Sequence, residues 1–231
     1  MARKNSLAPN NMSVRIYTSK LLKRQWLSKK AFEVELTRPP LFEFSPGQCI
    51  CFIYEAIQRY YSLICTPGDS TLRICVHSVE NGIFSPLLAA AKMGTRFDFT
   101  GPHGYFTFRP SRRTPVFIAT GTGIAPFLSM GSSGVAGFII LHEVETPEEL
   151  YYASSFRTFA KRYVPCISEI SPGSKEPPGI YSGNAVKYLS EQLPPDHYDF
   201  YLCGQEKMIR EVTLLVDEQF PGSLIFREVY Y

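Results

Sequence analysis

Several kinds of feature are missing from this sequence, and each absence excludes a class of protein. Charge of one sign is scarce: 24 Lys and Arg stand against 21 Asp and Glu, a net of only +3. A balance that even supports no general affinity for nucleic acid. Long apolar runs are missing too. The longest, Val135 to Leu141, is far short of the ~20 residues a membrane helix needs. The opening MARKNSLAPNN carries charge without an apolar stretch, so it reads as a polar leader and not as a signal peptide. The six cysteines, at 49, 51, 65, 75, 166 and 203, fit neither iron–sulfur nor zinc spacing. No metal is expected. Cys49 and Cys51 alternate on a strand-like run and read as small apolar residues facing one side of it. Reduced thiols without a signal peptide point to the cytoplasm. Internal repeats and low-complexity tracts are also lacking.

What is there suffices for a sizeable core: 45% of the residues are hydrophobic. The first half reads as short strands. AFEVELTR (31–38) alternates with period two, and Gln48–Tyr54, Tyr60–Thr66, Leu72–Val79, Arg96–Thr100 and Tyr105–Phe108 follow, each bounded by Gly, Pro or Asp. Such spacing predicts an antiparallel barrel. One helix interrupts it, with Ser85 expected at the N-cap, Pro86 at the first helical position and Gly94 at the end. After Pro110 the rhythm changes. Strands at 116–120, 137–142 and 198–204 alternate with helices expected at 147–163, 184–192 and 207–219, and a last strand closes the chain. Alternation of that kind predicts a parallel sheet covered on both faces. The expected organisation is therefore an antiparallel β-barrel over 1–110 and an α/β parallel-sheet domain over 111–231.

Three stretches carry chemistry. QRYYSLICTPGD (58–69) puts a cation, two π faces and a hydroxyl within Arg59, Tyr60, Tyr61 and Ser62. That composition suits a half-buried strand with polar caps, or a site for a flat, anionic, aromatic ligand. ATGTGIAPF (119–127) leaves a buried strand through Gly121, Thr122 and Gly123 into a helix, where backbone N–H groups can meet a phosphate. An ordinary glycine-rich turn would look the same, and Pro126 stands where the usual dinucleotide fingerprint has its last glycine. YLCGQEKMI (201–209) has the same strand–turn–helix form, which would put Cys203 and Gly204 at the mouth of the same crevice. ENGIFSPLL (80–88) adds Gly82 and Ser85 at another helix start.

Taken in order, Ser45-Pro-Gly-Gln48, Arg59-x-Tyr61-Ser62, Gly82-x-x-Ser85, Gly101-Pro-x-Gly104-x-Phe106, Gly121-Thr-Gly-Ile-Ala-Pro126, Cys203-Gly204-x-x-x-Met208 and Glu228-x-Tyr230-Tyr231 resemble the ferredoxin–NADP reductase family, most of all its bacterial ferredoxin/flavodoxin reductase branch. The likeness runs from about residue 14 to 231. It implies a flavin-dependent reductase that moves electrons between NAD(P)H and a separate carrier: a ferredoxin, a flavodoxin or an oxygenase component. By the same resemblance Arg59 would pair with the FAD pyrophosphate, Tyr61 would stack on the flavin ring with Tyr60 beside it, and Ser62 would bond near the hydride-accepting nitrogen. Gly82 and Ser85 would hold FAD phosphate. Gly121 to Gly123 would cradle pyridine nucleotide, Thr122 and Cys203 would flank the nicotinamide with Gly204 next to them, Tyr231 would cover the ring's other face, and Glu228 would relay a proton or orient Ser62. FMN in place of FAD, a free-flavin or ferric reductase, and a non-catalytic electron-transfer subunit are the alternatives.

The resemblance fails at one point. The branch's arginines for a nucleotide 2′-phosphate are missing, and the matching segments read His142-Glu-Val-Glu145, Ser168-Glu169 and Gly183-Asn184. Carboxylates repel a phosphate and accept hydrogen bonds from a 2′-hydroxyl, so NADH is the expected donor. Two basic stretches, Lys20 to Lys30 and Arg109 to Arg113, are candidates for steering an acidic partner.

Overall fold

The computed structural model describes residues 15–55, 57–167 and 179–230. The first six strands are β1 (Ile16–Trp26), β2 (Ala31–Thr37), β3 (Cys49–Tyr54), β4 (Ile57–Ser62), β5 (Thr71–His77) and β6 (Arg96–His103), with helix α1 (Phe84–Ala90) before the last. They form one antiparallel sheet in the order β4-β3-β6-β1-β2-β5. Its two edges meet: just past β4, Leu63 bridges Ile74 of β5, and the Ile64 N–H donates to the Arg73 carbonyl. The closure is made past the end of β4, and among the described residues β4 and β5 themselves share no ladder. Inside lie Phe32, Val34, Leu36, Phe52, Ile74 and Phe99, each at most 1% exposed.

The second half supplies β7 (Thr114–Thr120), α2 (Ala125–Ser132), β8 (Ile139–Val144), α3 (Ala153–Phe159), β9 (Arg162–Ile167), β10 (Tyr181–Ser182), α4 (Ala185–Gln192), β11 (Tyr198–Gly204), α5 (Glu206–Gln219) and β12 (Leu224–Val229). All six strands run parallel, in the order β10-β9-β8-β7-β11-β12. From β7 the chain steps outward through β8 and β9. It then returns to lay β11 on the other side of β7, so the strand order reverses between β7 and β11. Crevices for ligands open outside the carboxyl ends of strands at such a reversal.

A core shared by the two halves holds them together. Ala31, Ile64, Cys75 and Phe106 of the first half pack with Phe117, Phe127, Tyr201 and Cys203 of the second. Among the described residues no helix is long and apolar enough to cross a membrane.

Four local expectations need correction. β1 was not foreseen, because only Ser19 and Leu21 of its eleven residues are buried and no apolar face shows in the sequence. Tyr105–Phe108 is not a strand; it has no ladder partner, and Phe106 and Phe108 instead turn their rings onto Tyr201. Ser85 lies inside α1 and does not cap it. Ile83 takes the cap position, and the Ser85 hydroxyl accepts the Val79 N–H at 3.0 Å. The helix expected at 147–163 is broken into a 3-10 turn (Pro147–Glu149) and α3, while Arg162 and Tyr163 already belong to β9.

Candidate functional site

β4 alternates about its own axis, so Arg59 and Tyr61 share one face and Tyr60 and Ser62 the other. Arg59 is exposed, and among the described residues its guanidinium bonds only the neighbouring Gln58 carbonyl, at 2.8 Å. Tyr61 is half-buried against the rings of Phe52 and Phe84. Burial pushes its phenol up to about 12, against the pull of the Arg59 charge. Tyr60 is 58% exposed and meets the His103 ring edge-on at 5.6 Å. Ser62 is 2% exposed.

The parallel sheet brings its own residues to the same seam. β7 ends in a 3-10 turn, Gly121–Ile124, that leads straight into α2. Gly121 has φ +50°, and a side chain there would meet nothing within 4 Å, so the turn presents bare backbone to open space. Next to it Gly204 ends β11 at φ +134°, with the Thr120 amide nitrogen only 3.0 Å from where a Cβ would stand. Thr120 Oγ1 in turn accepts the Gln205 N–H at 2.7 Å and ties the two turns together. Cys203 is fully buried, not exposed at the mouth of the crevice. Burial and the Glu228 carboxyl hold its thiol well above its ordinary range, so it is a neutral S–H and not a thiolate.

The last strand closes the seam. The register of β12 on β11 sets Glu228 opposite Cys203. Two residues on, on the same face, Tyr230 donates its hydroxyl to Ser62 Oγ at 2.6 Å. That hydrogen bond joins the end of the parallel sheet to the barrel strand that carries Arg59 and Tyr61. One expectation changes as a result: the residue bonded to Ser62 is Tyr230, and among the described residues Glu228 makes no hydrogen bond to it. The expectation for Tyr231 lies outside the described residues. The spacing Glu-x-Tyr was visible in the sequence, but a terminal Tyr-Tyr leaves open which ring turns inward until the strand's phase is known. Glu228 is half-buried, and burial raises its carboxyl to about 7. Ser85 and Gly82 lie at the turn into α1, with the Gly82 N–H already donating to the Val79 carbonyl.

The basic stretches are partly spoken for. Arg24 Nη1 caps the end of α1 through the Leu88 and Ala91 carbonyls, at 3.1 and 2.8 Å. Lys30 pairs with Glu145 and Glu149 across the seam. Arg109 lies over the Phe226 ring, and Arg113 pairs with the buried Asp199 at 3.2 Å. Lys30 and Arg113 are thus neutralised by carboxylates, while Arg24 and Arg109 keep their net charge. His142 was read in the sequence only as part of an altered nucleotide motif, yet it is completely buried beneath the Gly121 turn.

A closed barrel and a parallel sheet, meeting at a seam with glycine turns at the sheet's strand reversal, define a two-domain nucleotide-binding oxidoreductase fold. Residues 14–108 match the model of the oxidoreductase FAD-binding domain, and residues 117–213 match that of the oxidoreductase NAD-binding domain. Together these cover most of the chain, which belongs to the ferredoxin–NADP reductase family of flavin- and nicotinamide-binding oxidoreductases. It is 27% identical over 204 residues to ferredoxin–NADP reductase B of Sorangium cellulosum, covering 79% of this chain and 81% of that one. It is 28% identical over 190 residues to the toluate 1,2-dioxygenase electron transfer component of Pseudomonas putida, covering 76% of this chain and 55% of that one. The chain spans about half the length of the oxygenase electron transfer components it matches. The fold is that of a ferredoxin NADP+ reductase from Neisseria gonorrhoeae solved with bound FAD and NADP: TM-score 0.82 at 22% identity, over 94% of this chain and 99% of that one.

Proposed function

We propose that this chain is an FAD-dependent NAD(P)H oxidoreductase that passes electrons to a separate one-electron carrier, a ferredoxin, a flavodoxin or an oxygenase component, with its barrel and α/β parts dividing near residue 110. The observation that carries the reading is the Tyr230–Ser62 hydrogen bond at 2.6 Å, which brings the Arg59–Ser62 strand to the carboxyl ends of the parallel sheet. The names of its relatives, which include both ferredoxin reductases and oxygenase electron transfer components, support the same class of partner.

The residues fit a flavin. Arg59, exposed and with no acid paired to it among the described residues, suits a pyrophosphate, whose paired oxygens match a guanidinium fork. The Tyr61 face suits a flat ring, and the Ser62 hydroxyl a ring nitrogen. By the family resemblance Gly82, before α1, and Ser85, in its first turn, would hold FAD phosphate, with the Ser85 hydroxyl at present accepting the Val79 N–H. A bound flavin would supply the conversion between two-electron hydride chemistry and one-electron transfer. The chain's own part is to orient and to dry the seam. Cys203 stays a neutral thiol beside Gly204, Glu228 holds a proton near neutral pH, and Thr122, in the Gly121–Ile124 turn, would flank the nicotinamide by the resemblance. Tyr230 has to give up Ser62, or share it, whenever a nicotinamide enters at near-attack distance.

NADH is the preferred donor in this reading. Glu143, at the end of β8, accepts the Ala185 N–H at 2.9 Å, and Asn184 accepts the Lys187 N–H at 2.9 Å, so two side chains of the chain itself fill the start of α4. A 2′-phosphate would meet the Glu143 carboxyl there, and nearby Arg162 is stacked on the Tyr188 ring.

Anaerobic titration of the purified protein with NADH and then NADPH, followed at the ~450 nm flavin band, tests both statements. Bleaching by NADH at lower concentration than by NADPH is expected. A preparation that takes up neither FAD nor FMN overturns the function, and a tenfold or greater preference for NADPH overturns the donor.

A further inference from the structure

We infer, on the strength of the nucleotide reading of the Gly121–Gly123 turn, that His142 is a positioning residue for pyridine nucleotide: it pins the Gly121 carbonyl inward and so turns the following amide out into the crevice. His142 is completely buried, in the middle of the sheet at the end of β8. Its Nε2 lies 3.0 Å from the Gly121 carbonyl oxygen. A carbonyl can only accept, so Nε2 carries the proton. Nδ1 is then the acceptor, and the Tyr163 hydroxyl lies 3.5 Å from it, where it can donate. The two contacts agree on one tautomer, and a ring nitrogen's partner is what fixes the tautomer in general. Among the described residues no charged group faces the ring, and the Tyr151 ring lies 6.5 Å away.

The consequence for the turn follows from peptide geometry. The C=O and N–H of one planar peptide unit point in opposite directions. Holding the Gly121 oxygen toward β8 therefore aims the Thr122 N–H away from the sheet, over the strand ends. Gly121 sits at φ +50°, where few residue types are stable and a flip of the next peptide is cheap for glycine. The anchor supplies what the glycine alone does not, a preferred orientation of that peptide. Such preorganisation lowers the cost of binding without touching the ligand. His142 acts through the turn and meets neither nucleotide nor substrate.

The test uses the flavin-loaded protein with His142→Phe, which keeps the ring's bulk and loses the donor, and His142→Gln, which keeps an N–H. Binding is read with NAD+, which cannot reduce the protein, by perturbation of the flavin spectrum. The kcat and KM for NADH are read with ferricyanide as acceptor. For His142→Phe the Kd for NAD+ and the KM are expected to rise about tenfold, equivalent to roughly 1.4 kcal/mol, with kcat within about twofold. His142→Gln should recover at least half of that loss on a logarithmic scale. A merely structural role would lower Tm in both variants and leave the Kd alone; unchanged Kd in a folded His142→Phe protein overturns the inference. If that variant does not fold, ¹⁵N chemical shifts of the wild-type imidazole decide instead: a proton on Nε2 supports the anchor and a proton on Nδ1 sinks it. Wild-type protein that binds flavin but no NAD+ would instead overturn the nucleotide reading, and is recognised before any variant is made.

Discussion

Burial brings the Glu228 carboxyl into the neutral range. Raised to about 7, it faces Cys203 across the β11–β12 register and shares the seam with Cys49 and Tyr230. Because its folded value is above the unfolded one, its stabilising effect is complete below about 4.5 and is lost as the pH rises through 7. Glu228→Gln should therefore flatten the rise in denaturant sensitivity between about pH 5 and 8, and remove an inflection near 7 from the pH profile of NADH turnover. An unchanged profile would show that Glu228 is not the titrating group. His142 has the opposite sign. Its folded value falls from 6.5 to about 4 through burial, so its contribution is present above 6.5 and is lost as the pH falls toward 4. Replacing it with Phe should extend the acid limb of stability to lower pH. The placing of Arg59, Tyr61 and Ser62 on one strand was legible in the sequence and the structure has it so, while the flavin role of Arg59 rests on the resemblance and is a proposal. Arg59→Ala is expected to weaken flavin retention about 10- to 100-fold, the worth of a charge-assisted hydrogen bond pair, and Arg59→Lys by less. Equal flavin occupancy in dialysed wild type and Arg59→Ala would contradict the assignment. Tyr230 and His142 were harder to foresee. One depends on the phase of the last strand, and the other on what lies one strand away.

Among the elements, the two glycine turns at the sheet's strand reversal carry the most constraint. Gly204 combines a backbone angle of +134° with close backbone on the facing strand. Gly204→Ala should cost roughly 2–4 kcal/mol from backbone strain and overpacking together, lowering Tm by about 5–15 °C. A thermal melt within a degree or two of wild type would mean the turn has room that its geometry denies. The element pattern was largely readable where one face is buried. β2 alternates cleanly, and β7 and β11 are mostly apolar and buried along nearly their whole length because both faces are covered, Asp199 of β11 being the charged exception. It failed where tertiary contacts outweigh local preference. PEELYYASSFRTFAKRY has helix formers throughout, yet Tyr152 adopts φ +59° and breaks the run. That bend sends the Tyr151 hydroxyl to Ser28 at 2.9 Å and the Tyr152 hydroxyl to Glu33 at 3.2 Å, both on the barrel. No periodicity within the segment encodes those partners. β1 was missed for the converse reason: it lies between β6 and β2 in the sheet, and its backbone pairing holds it there while most of its side chains face water.

For the molecule as a whole the question is whether barrel and sheet behave as one body, because the seam they form is the site. Three kinds of contact cross it, and they differ in worth. Lys30 bonds Glu145 and Glu149, but its side chain is 48% exposed. Exposed pairs of that kind contribute about 0–1 kcal/mol and are screened by salt. The Tyr152–Glu33 bond belongs to a more buried group with Arg73, which pairs with the same carboxylate at 3.3 Å. Ser129, fully buried on α2, donates to the Cys65 carbonyl at 2.6 Å, and its loss would strand a buried carbonyl at a cost of about 1–3 kcal/mol. Around these runs the shared apolar core of Phe106, Phe117, Phe127 and Tyr201, the contact type least sensitive to salt. If the core dominates, Lys30→Ala leaves a single calorimetric transition that does not change with ionic strength, while Ser129→Ala lowers its temperature and keeps it single. If the polar clasp dominates, Lys30→Ala or 1 M salt separates the melt into two transitions, one for each half. The exposure of Lys30 and the burial of Ser129 favour the first outcome. On that account the seam is a fixed frame, and under the proposed function the part that has to move when nicotinamide arrives is the Tyr230 ring, now bonded to Ser62, while the two halves stay docked.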